Sequence, residues 1–364
     1  MSVAGVRVAL VGPVPPPAGG MALQTRQLAD LLTRDGARVE LVATNAPYRP
    51  AWVAGVRGVR ALFRLVPYLV HLWRAAGRAS VVHVMANSGW SWHLCAAPAI
   101  WVARLRGVPV IVNYRGGEAA AFLQRSAALV RATLARARVL VVPSGFLEEI
   151  FARHGMSATV VPNIVDLERF RPRSPGTARE AEEIVVARNL EAIYGIDLAL
   201  AAFQKVHRER PRARLVVAGT GPEHARLAAM RDSLGLSDAV SFCGRLDRDA
   251  MAARLAGAAV ALNPSRVDNM PNSVLEAMAS GVPVVSTRVG GVPFIVRDGV
   301  TGLLVEPAVD AMAAAILKLL TDEPLARSLA AAAQADVQQY AWPRVRPLWL
   351  AVYAAACAAP EFAT

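Results

Sequence analysis

Cysteine is scarce in this 364-residue chain: Cys95, Cys243 and Cys357 lie far apart, and no two of them form a Cys-x-x-Cys pair. That excludes the even-numbered disulfide frameworks of small secreted domains and fits a reducing cytosol. Long apolar runs are missing too. The best candidate, Leu94 to Ala103, is bounded by His93 and Arg104, well short of the roughly 18 to 20 residues that a membrane-crossing helix requires. The first apolar run, Val8 to Val11, is followed by prolines at positions 13 and 15 to 17, so it reads as a first strand rather than a signal sequence. Six histidines are scattered without the His-x3-His spacing of a zinc site. No Gly-x-Gly-x-x-Gly follows the first strand and no clear ribose-binding acid ends the second, which argues against a dehydrogenase. Nor is there a recognition helix, a zinc finger or an aromatic RNA-binding motif, so no nucleic-acid partner is expected.

What is present suits well-formed cores. Apolar residues make up 54% of the chain and charged residues 19%, far from the composition of a disordered protein. The length is about twice that of a typical domain, which favours two cores. A net charge of +12 implies an anionic partner: nucleic acid, anionic lipid or a phosphorylated substrate. Charge alone does not choose among them.

Short β-branched runs alternate with alanine-rich stretches: Val8 to Val11, Val39 to Ala43, Val81 to Met85, Val108 to Asn113, Val139 to Pro143 and Thr159 to Pro162. The pattern restarts at Ile184 to Ala187 and continues through Leu215 to Ala218, Val240 to Cys243, Val260 to Asn263, Val284 to Thr287 and Leu303 to Val305. Such alternation is the mark of a parallel sheet with helical crossovers, here written twice. The stretch Phe170 to Thr177, rich in proline, glycine and charge, reads as the linker. The expected domains are therefore residues 1–172 and 178–340. Open α/β sheets bind ligands beyond the carboxyl ends of their strands, so the strand-to-helix loops are the places to search for chemistry.

The densest such place runs from Asn263 to Val285 and reads strand, loop, helix, turn, strand. Two acids, Asp268 and Glu276, have seven residues between them. A helix starting near Ser273 puts Asp268 in the loop and Glu276 in the first turn, where both carboxylates can face one crevice and grip hydroxyls of a sugar and a ribose. A plainer reading stands beside it: Ser273-x-x-Glu276 is also a capping box. Arg188, at the end of a strand, is placed to bind a phosphate bidentately. Arg115 follows a strand and precedes a glycine turn, and a surface arginine is its alternative. Gly19 and Gly20 stand between the first strand and a helix, where backbone N–H groups can receive phosphate oxygens. Gly219 and Gly221 repeat that pattern more weakly. Asp247-Arg-Asp249 has the outline of a metal-binding Asp-x-Asp, but an acidic N-cap of the following amphipathic run explains it, and no metal is expected.

The Asn263 to Val285 segment resembles the signature of the retaining GT-B glycosyltransferases of family 4, the glycosyl transferases group 1, in which a Glu-x7-Glu motif leads into Leu-Glu-Ala-Met-Ala. Asp268 stands in place of the first glutamate. The resemblance runs along nearly the whole chain, through Gly19-Gly20, Pro162 to Asp166, Ala218 to Glu223, Phe242 to Arg245, Gly290-Gly291 and Asp298 to Leu303. It implies an α/β protein of GT-B fold, with two Rossmann-like domains facing across a cleft and a closing helix, residues 343–358, packed back on the first domain. It also implies that Glu276 holds the donor ribose, that Asp268 and the backbone of Asn269, Met270, Pro271, Asn272 and Ser273 contact the donor sugar, and that Gly244 and Arg245 flank the nucleobase. Arg188 matches an arginine that the family usually follows with a lysine; Tyr194 occupies the lysine's place and brings no charge. Arg115 stands where the family commonly has a histidine: either it supplies the missing charge, or the site handles another sugar, or the site has lost activity.

The stretch from Val53 to Arg78 sets Arg57, Arg60, Arg64, His71, Arg74 and Arg78 on one helical stripe, with Val59, Leu62, Val66, Leu69 and Trp73 opposite and Pro67 marking a kink or break. Either the apolar side packs into the core, or the helix meets an anionic membrane or a lipid-linked acceptor. His83 and His93 read as hydrogen-bonded structural residues. The implied protein is a cytoplasmic enzyme, with a peripheral place on the inner face of the cell membrane left open. It would move a sugar from a nucleotide-sugar donor to a saccharide or polyisoprenoid-linked acceptor, without metal or other cofactor, in polysaccharide or glycolipid synthesis. A nucleotide-sugar epimerase and a noncatalytic binding protein on the same scaffold are the alternatives.

Overall fold

A computed structural model describes residues 3–16, 19–48, 52, 55, 60–173 and 182–358. The chain divides into two units: residues 1–163 with 345–364, and residues 164–344.

In unit 1 the strands β1 (Arg7–Gly12), β2 (Arg38–Ala43), β3 (Val81–Ala86), β4 (Val110–Tyr114), β5 (Val139–Val142) and β6 (Thr159–Val160) form one parallel sheet of order β2-β1-β3-β4-β5-β6. Helices α1 (Gly20–Arg34), α2 (Arg60–Ala76), α3 (Ala97–Leu105), α4 (Ala119–Leu134) and α5 (Gly145–Arg153) make the crossovers, and a π-helical turn, Trp92–Ala96, leads into α3. Every residue of β3 and β4 is buried. Helices cover both faces of such a sheet, which is why these strands read as unbroken apolar runs rather than alternating ones.

Unit 2 repeats the plan with β7 (Glu183–Ala187), β8 (Arg214–Ala218), β9 (Val240–Gly244), β10 (Val260–Asn263), β11 (Val284–Thr287) and β12 (Leu303–Val305), ordered β12-β11-β10-β7-β8-β9. Its helices are α6 (Ile196–Glu209), α7 (His224–Ser233), α8 (Arg248–Gly257), α9 (Asn272–Ala279), α10 (Val309–Thr321) and α11 (Glu323–Asp336). Successive strand residues feed opposite cores, as the two-residue strand period demands. Ile184, Val186, Leu215, Leu262 and Val285 enter one apolar cluster with α6 and α10. Val185, Val216, Ala261 and Val284 enter the other with α8 and α9.

The last helix, α12 (Trp342–Cys357), spends most of its length in unit 1. There Tyr353 Oη lies 2.8 Å from His83 Nδ1, and Arg346 Nε donates to Asp35 at 2.5 Å.

Two expectations need correction. The units divide between Asn163 and Ile164, ahead of the proline-rich stretch, because Phe170 is buried in the apolar core of unit 2; residues 174–177 of that stretch lie outside the described residues. Helix α2 continues through Pro67 without a break. Of the apolar face expected for it, only Leu69 packs against the core, together with Leu65, Tyr68, Leu72, Ala75 and Ala76, whereas Leu62, Val66 and Trp73 are exposed. Arg57, Val59 and Val53 lie outside the described residues. Among those residues, no helix is long and apolar enough to cross a membrane.

Asp247 is the N-cap of α8, its carboxylate accepting from the Ala250 N–H at 2.8 Å, and Asp249 pairs with Arg169 at 3.0 Å. Asp247→Ala is expected to lower stability by about 1 kcal/mol. Chemical denaturation measures this, and an unchanged midpoint would show the cap contributes nothing.

Candidate active site

The order of the second sheet reverses between β7 and β10, so the loops leaving those neighbours diverge at their carboxyl ends, where open α/β sheets bind ligands. Arg188 is the first residue after β7, and Asp268 lies in the loop after β10. Arg188 Nε donates to Asn263 Oδ1 at 2.9 Å, its Nη2 donates to the Asp268 carboxylate, and its guanidinium carbon stands 5.2 Å from the centre of the Tyr194 ring. The two residues expected to contact different parts of a donor thus hold each other. Burial raises the Asp268 pKa, and the Arg188 charge opposes that rise, followed by hydrogen bonds from Ser265 and the Asn269 backbone. Tyr194, where a lysine was expected, forms the aromatic floor under Arg188, a cation–π contact that fixes the guanidinium without competing for its partners.

Behind this pair lies a buried polar row. Asn263 Nδ2 donates to Ser286 Oγ at 2.9 Å, Ser265 Oγ donates to Asn263 Oδ1 at 2.8 Å, and Thr287 Oγ1 donates to the Ser265 carbonyl at 2.5 Å. The Gly291 N–H holds the Asp268 carbonyl at 2.9 Å. Sequence reasoning passed over Asn263, Ser265 and Ser286. Their signal was a polar residue closing an otherwise apolar strand, as in Val260-Ala-Leu-Asn263.

Helix α9 starts at Asn272 with Pro271 at its N-cap and no side-chain cap bond, so the capping box is not built and Glu276 sits a full turn inside the helix. Burial pushes the Glu276 carboxyl up to about 7; Arg248 and then Arg188 pull it down through their fields, and Asp166 pushes it up. A carboxylate placed inside a helix, raised by burial and acted on by arginines without a hydrogen bond from either, has no structural task in the helix. Asn269 and Pro271 are buried, and the Met270 side chain belongs to the apolar core, so only its backbone is left for a ligand. Asn272 and Ser273 are half-buried at the N-terminus of α9. At the end of β9, Gly244 takes a φ of 69° and Arg245 beyond it is exposed, with Phe242 half-buried against the edge of His224 at 5.5 Å.

Gly219 and Gly221 have a packing cause. A Cβ on Gly219 would lie 1.8 Å from the Arg188 carbonyl oxygen, and one on Gly221 would lie 2.3 Å from that of Leu190. The loop after β8 therefore lies flat on the loop that carries Arg188, joined to it by Leu190 N–H to Thr220 O at 3.1 Å.

In unit 1, Gly19 is the N-cap of α1 and a Cβ there would meet nothing within 4 Å, with Gly20 exposed beside it. Arg115 is not a surface arginine: its N–H donates to Ala86 O at 2.9 Å, its Nε to Asn113 Oδ1 at 3.1 Å and its Nη1 to Asn163 Oδ1. Burial lowers its pKa to about 10, still charged at neutral pH. Asn113 Nδ2 donates in turn to His83 Nε2 at 3.2 Å, which leaves Nδ1 as the protonated nitrogen facing Tyr353. Burial holds His83 down at about 3, so it is a neutral, doubly bonded structural residue. His93 packs edge-on against Phe122 at 5.8 Å. Among the described residues no three His, Cys, Asp or Glu side chains cluster as a metal site.

Residues 168–336 match the family described as "Glycosyl transferases group 1", and residues 19–163 match the "Glycosyl transferase 4-like domain". A D-inositol 3-phosphate glycosyltransferase of Segniliparus rotundus is 28% identical over 93% of this chain and 85% of its own length. A glycogen synthase of Mycobacterium tuberculosis is 31% identical over 77% of this chain and 69% of its own. A phosphatidylinositol N-acetylglucosaminyltransferase subunit of Arabidopsis thaliana is 35% identical over 49% of this chain, which spans only 40% of that protein's length. Among solved structures, Anabaena Alr3699/HepE in complex with UDP and glucose superposes with a TM-score of 0.76 at 18% identity, covering 96% of this chain and 99% of that one. The likeness is one of fold, GT-B.

Proposed function

As a member of the glycosyl transferases group 1 family, this chain is a glycosyltransferase, and we propose that it is a retaining, metal-independent one. In this reading it moves a sugar from a nucleotide-sugar donor to a saccharide or lipid-linked saccharide acceptor in cell-surface polysaccharide or glycolipid synthesis, on the cytoplasmic side. The observation that carries the reading is the grouping of Arg188, Asp268 and Tyr194 at the switch point of the second sheet, with Glu276 on the helix that follows. The Anabaena neighbour's UDP and glucose support a nucleoside diphosphate sugar as the donor class.

The chemistry follows from charge. As the bond from the anomeric carbon to the donor phosphate breaks, its electron pair leaves with the nucleoside diphosphate and the sugar gains oxocarbenium character. Arg188, planar and permanently charged, stabilises the departing phosphate. The acceptor oxygen attacks from the face that the phosphate leaves, and its proton passes to that phosphate, which preserves the anomeric configuration. Glu276 accepts hydrogen bonds from ribose hydroxyls, and Asp268 turns from Arg188 to the sugar when phosphate takes its place. On unit 1, the start of α1 at Gly19 and Gly20 offers helix N–H groups to phosphate, and Arg115 offers a fixed positive charge.

Incubating the protein with a panel of nucleotide sugars, with and without membrane-lipid extract and EDTA, tests the reading through nucleoside diphosphate release. Release that needs an acceptor, survives EDTA and vanishes in Glu276→Ala is the expected result. An epimerised donor without any acceptor, or binding without release, would reject it in favour of an epimerase or a noncatalytic protein.

A further inference from the structure

Between Glu40 and Glu148 the chain carries thirteen arginines, no lysine and a single acid, Glu118. This segment alone accounts for the net charge of +12; outside it, 27 basic residues balance 27 acidic ones. The same segment holds five of the seven tryptophans, and four of them, Trp52, Trp73, Trp90 and Trp101, are exposed. Tryptophan is seldom left in water in such numbers without a partner surface.

Helix α2 shows how the pattern is organised, because it has three sides. One side packs into the core through Tyr68, Leu72, Ala75 and Ala76, and Tyr68 Oη donates to the Cys95 carbonyl at 2.8 Å. A second side, Leu62, Val66, Val70 and Trp73, repeats at helical spacing yet is exposed, with Leu62 at 58%, Val66 at 55% and Trp73 at 45%. His71 and Arg74 lie on the third. Neighbouring α3 adds exposed Trp101 and Leu105. In water, arginines lie over these rings: Arg106 is 4.9 Å from the centre of Trp73, and Arg136 is 3.8 Å from that of Trp101. Arg74, Arg104 and Arg106 form no ion pair among the described residues, so their charge is available to a partner.

We propose that the exposed side of α2 and α3 docks unit 1 on an anionic phospholipid bilayer, with the Leu62 to Trp73 stripe and Leu105 entering the headgroup layer while the adjoining arginines bind lipid phosphates. Apolar aliphatic side chains flanked by unpaired guanidinium groups match the interfacial layering of such a bilayer. A single-stranded nucleic acid would use the tryptophans and arginines but has no use for an aliphatic stripe. The docking is independent of the glycosyltransferase reading and holds whether or not the chain turns over a donor.

The test is co-sedimentation of the full chain with vesicles of phosphatidylcholine alone or with added phosphatidylglycerol. Binding to the anionic vesicles should exceed binding to the neutral ones by about tenfold or more and weaken with salt. The double variant Val66→Asp/Trp73→Asp, altered only at exposed positions, should melt like the parent and bind UDP like the parent, but lose vesicle binding by about tenfold. Arg74→Gln and Arg104→Gln should each weaken it by about fivefold. Equal binding to both vesicle types, or a double variant that binds as the parent does, overturns the proposal. So does a dimer in sedimentation velocity that the double variant abolishes without any lipid binding, or an oligonucleotide affinity above that for vesicles.

Discussion

Glu276→Gln is expected to lower sugar transfer by about 100-fold or more while raising the melting temperature at pH 8. Glutamine keeps the shape of the side chain but replaces an acceptor-only carboxylate with an amide, which cannot receive both ribose hydroxyls in the same way. The stability gain has a definite pH window. The folded-state pKa of Glu276 stands at about 7, above its ordinary value of 4.5, because burial disfavours the charge. Between those values the folded protein binds the proton and the unfolded chain does not, so the parent loses stability as pH rises through the window. The variant has no such group. Its advantage should be absent near pH 4, grow up to about pH 7 and stay level beyond. Melting curves across that range measure it, and a variant no more stable at pH 8 than at pH 4 would refute the buried-carboxylate account. Donor affinity of the parent should rise over the same window, as the carboxylate that receives the ribose ionises.

The second large effect belongs to Gly219→Ala, expected to destabilise unit 2 by about 3 kcal/mol and to remove activity with it. The added methyl would lie 1.8 Å from the Arg188 carbonyl, a backbone atom that cannot swing aside. Relief requires the two loops to part, which moves Arg188 away from Asn263 and Asp268. Gly19→Ala is the matched comparison. Its φ of −96° suits any residue and its Cβ site is open, so stability should change by no more than about 1 kcal/mol. If Gly19 is glycine to let a phosphate approach, donor affinity nevertheless falls. Equal denaturation midpoints for the parent and Gly219→Ala would disprove the close-packed loop.

The strand plan was legible because burial on both faces leaves a plain trace. All twelve β-branched runs became strands, and the reversal of strand order in each sheet marks where loops diverge. The place of Arg188 was legible for the same reason, as a cation directly after a strand. Its partner was not. Asp268 turns toward Arg188 because Gly291 holds its carbonyl and Ser265 and Asn263 line its carboxylate, and those contacts join strands separated by a helix or more. The capping box was a fair local inference, but Pro271 starts α9 one residue earlier and leaves Ser273 inside it. The packing that requires glycine at 219 was not legible, because a close approach between two loops leaves no trace in either loop alone. The exposed stripe of α2 stayed open between two readings for a similar reason: amphipathic spacing identifies an apolar side, not which of two surfaces lies against it.

The route of the chain has a consequence for how the protein is made. Unit 1 opens at the first strand and closes only with α12, whose Tyr353 completes the buried row through His83 and Asn113 to Arg115. During synthesis every strand of unit 1 leaves the ribosome before unit 2 begins, yet the helix that finishes its core emerges only after the sheet of unit 2. Unit 2 can fold while unit 1 still waits, with a neutral histidine short of a partner and an apolar face uncovered. Loss of α12 would therefore injure the sheet at the other end of these residues, and nascent chains should hold chaperones at unit 1 until α12 has emerged.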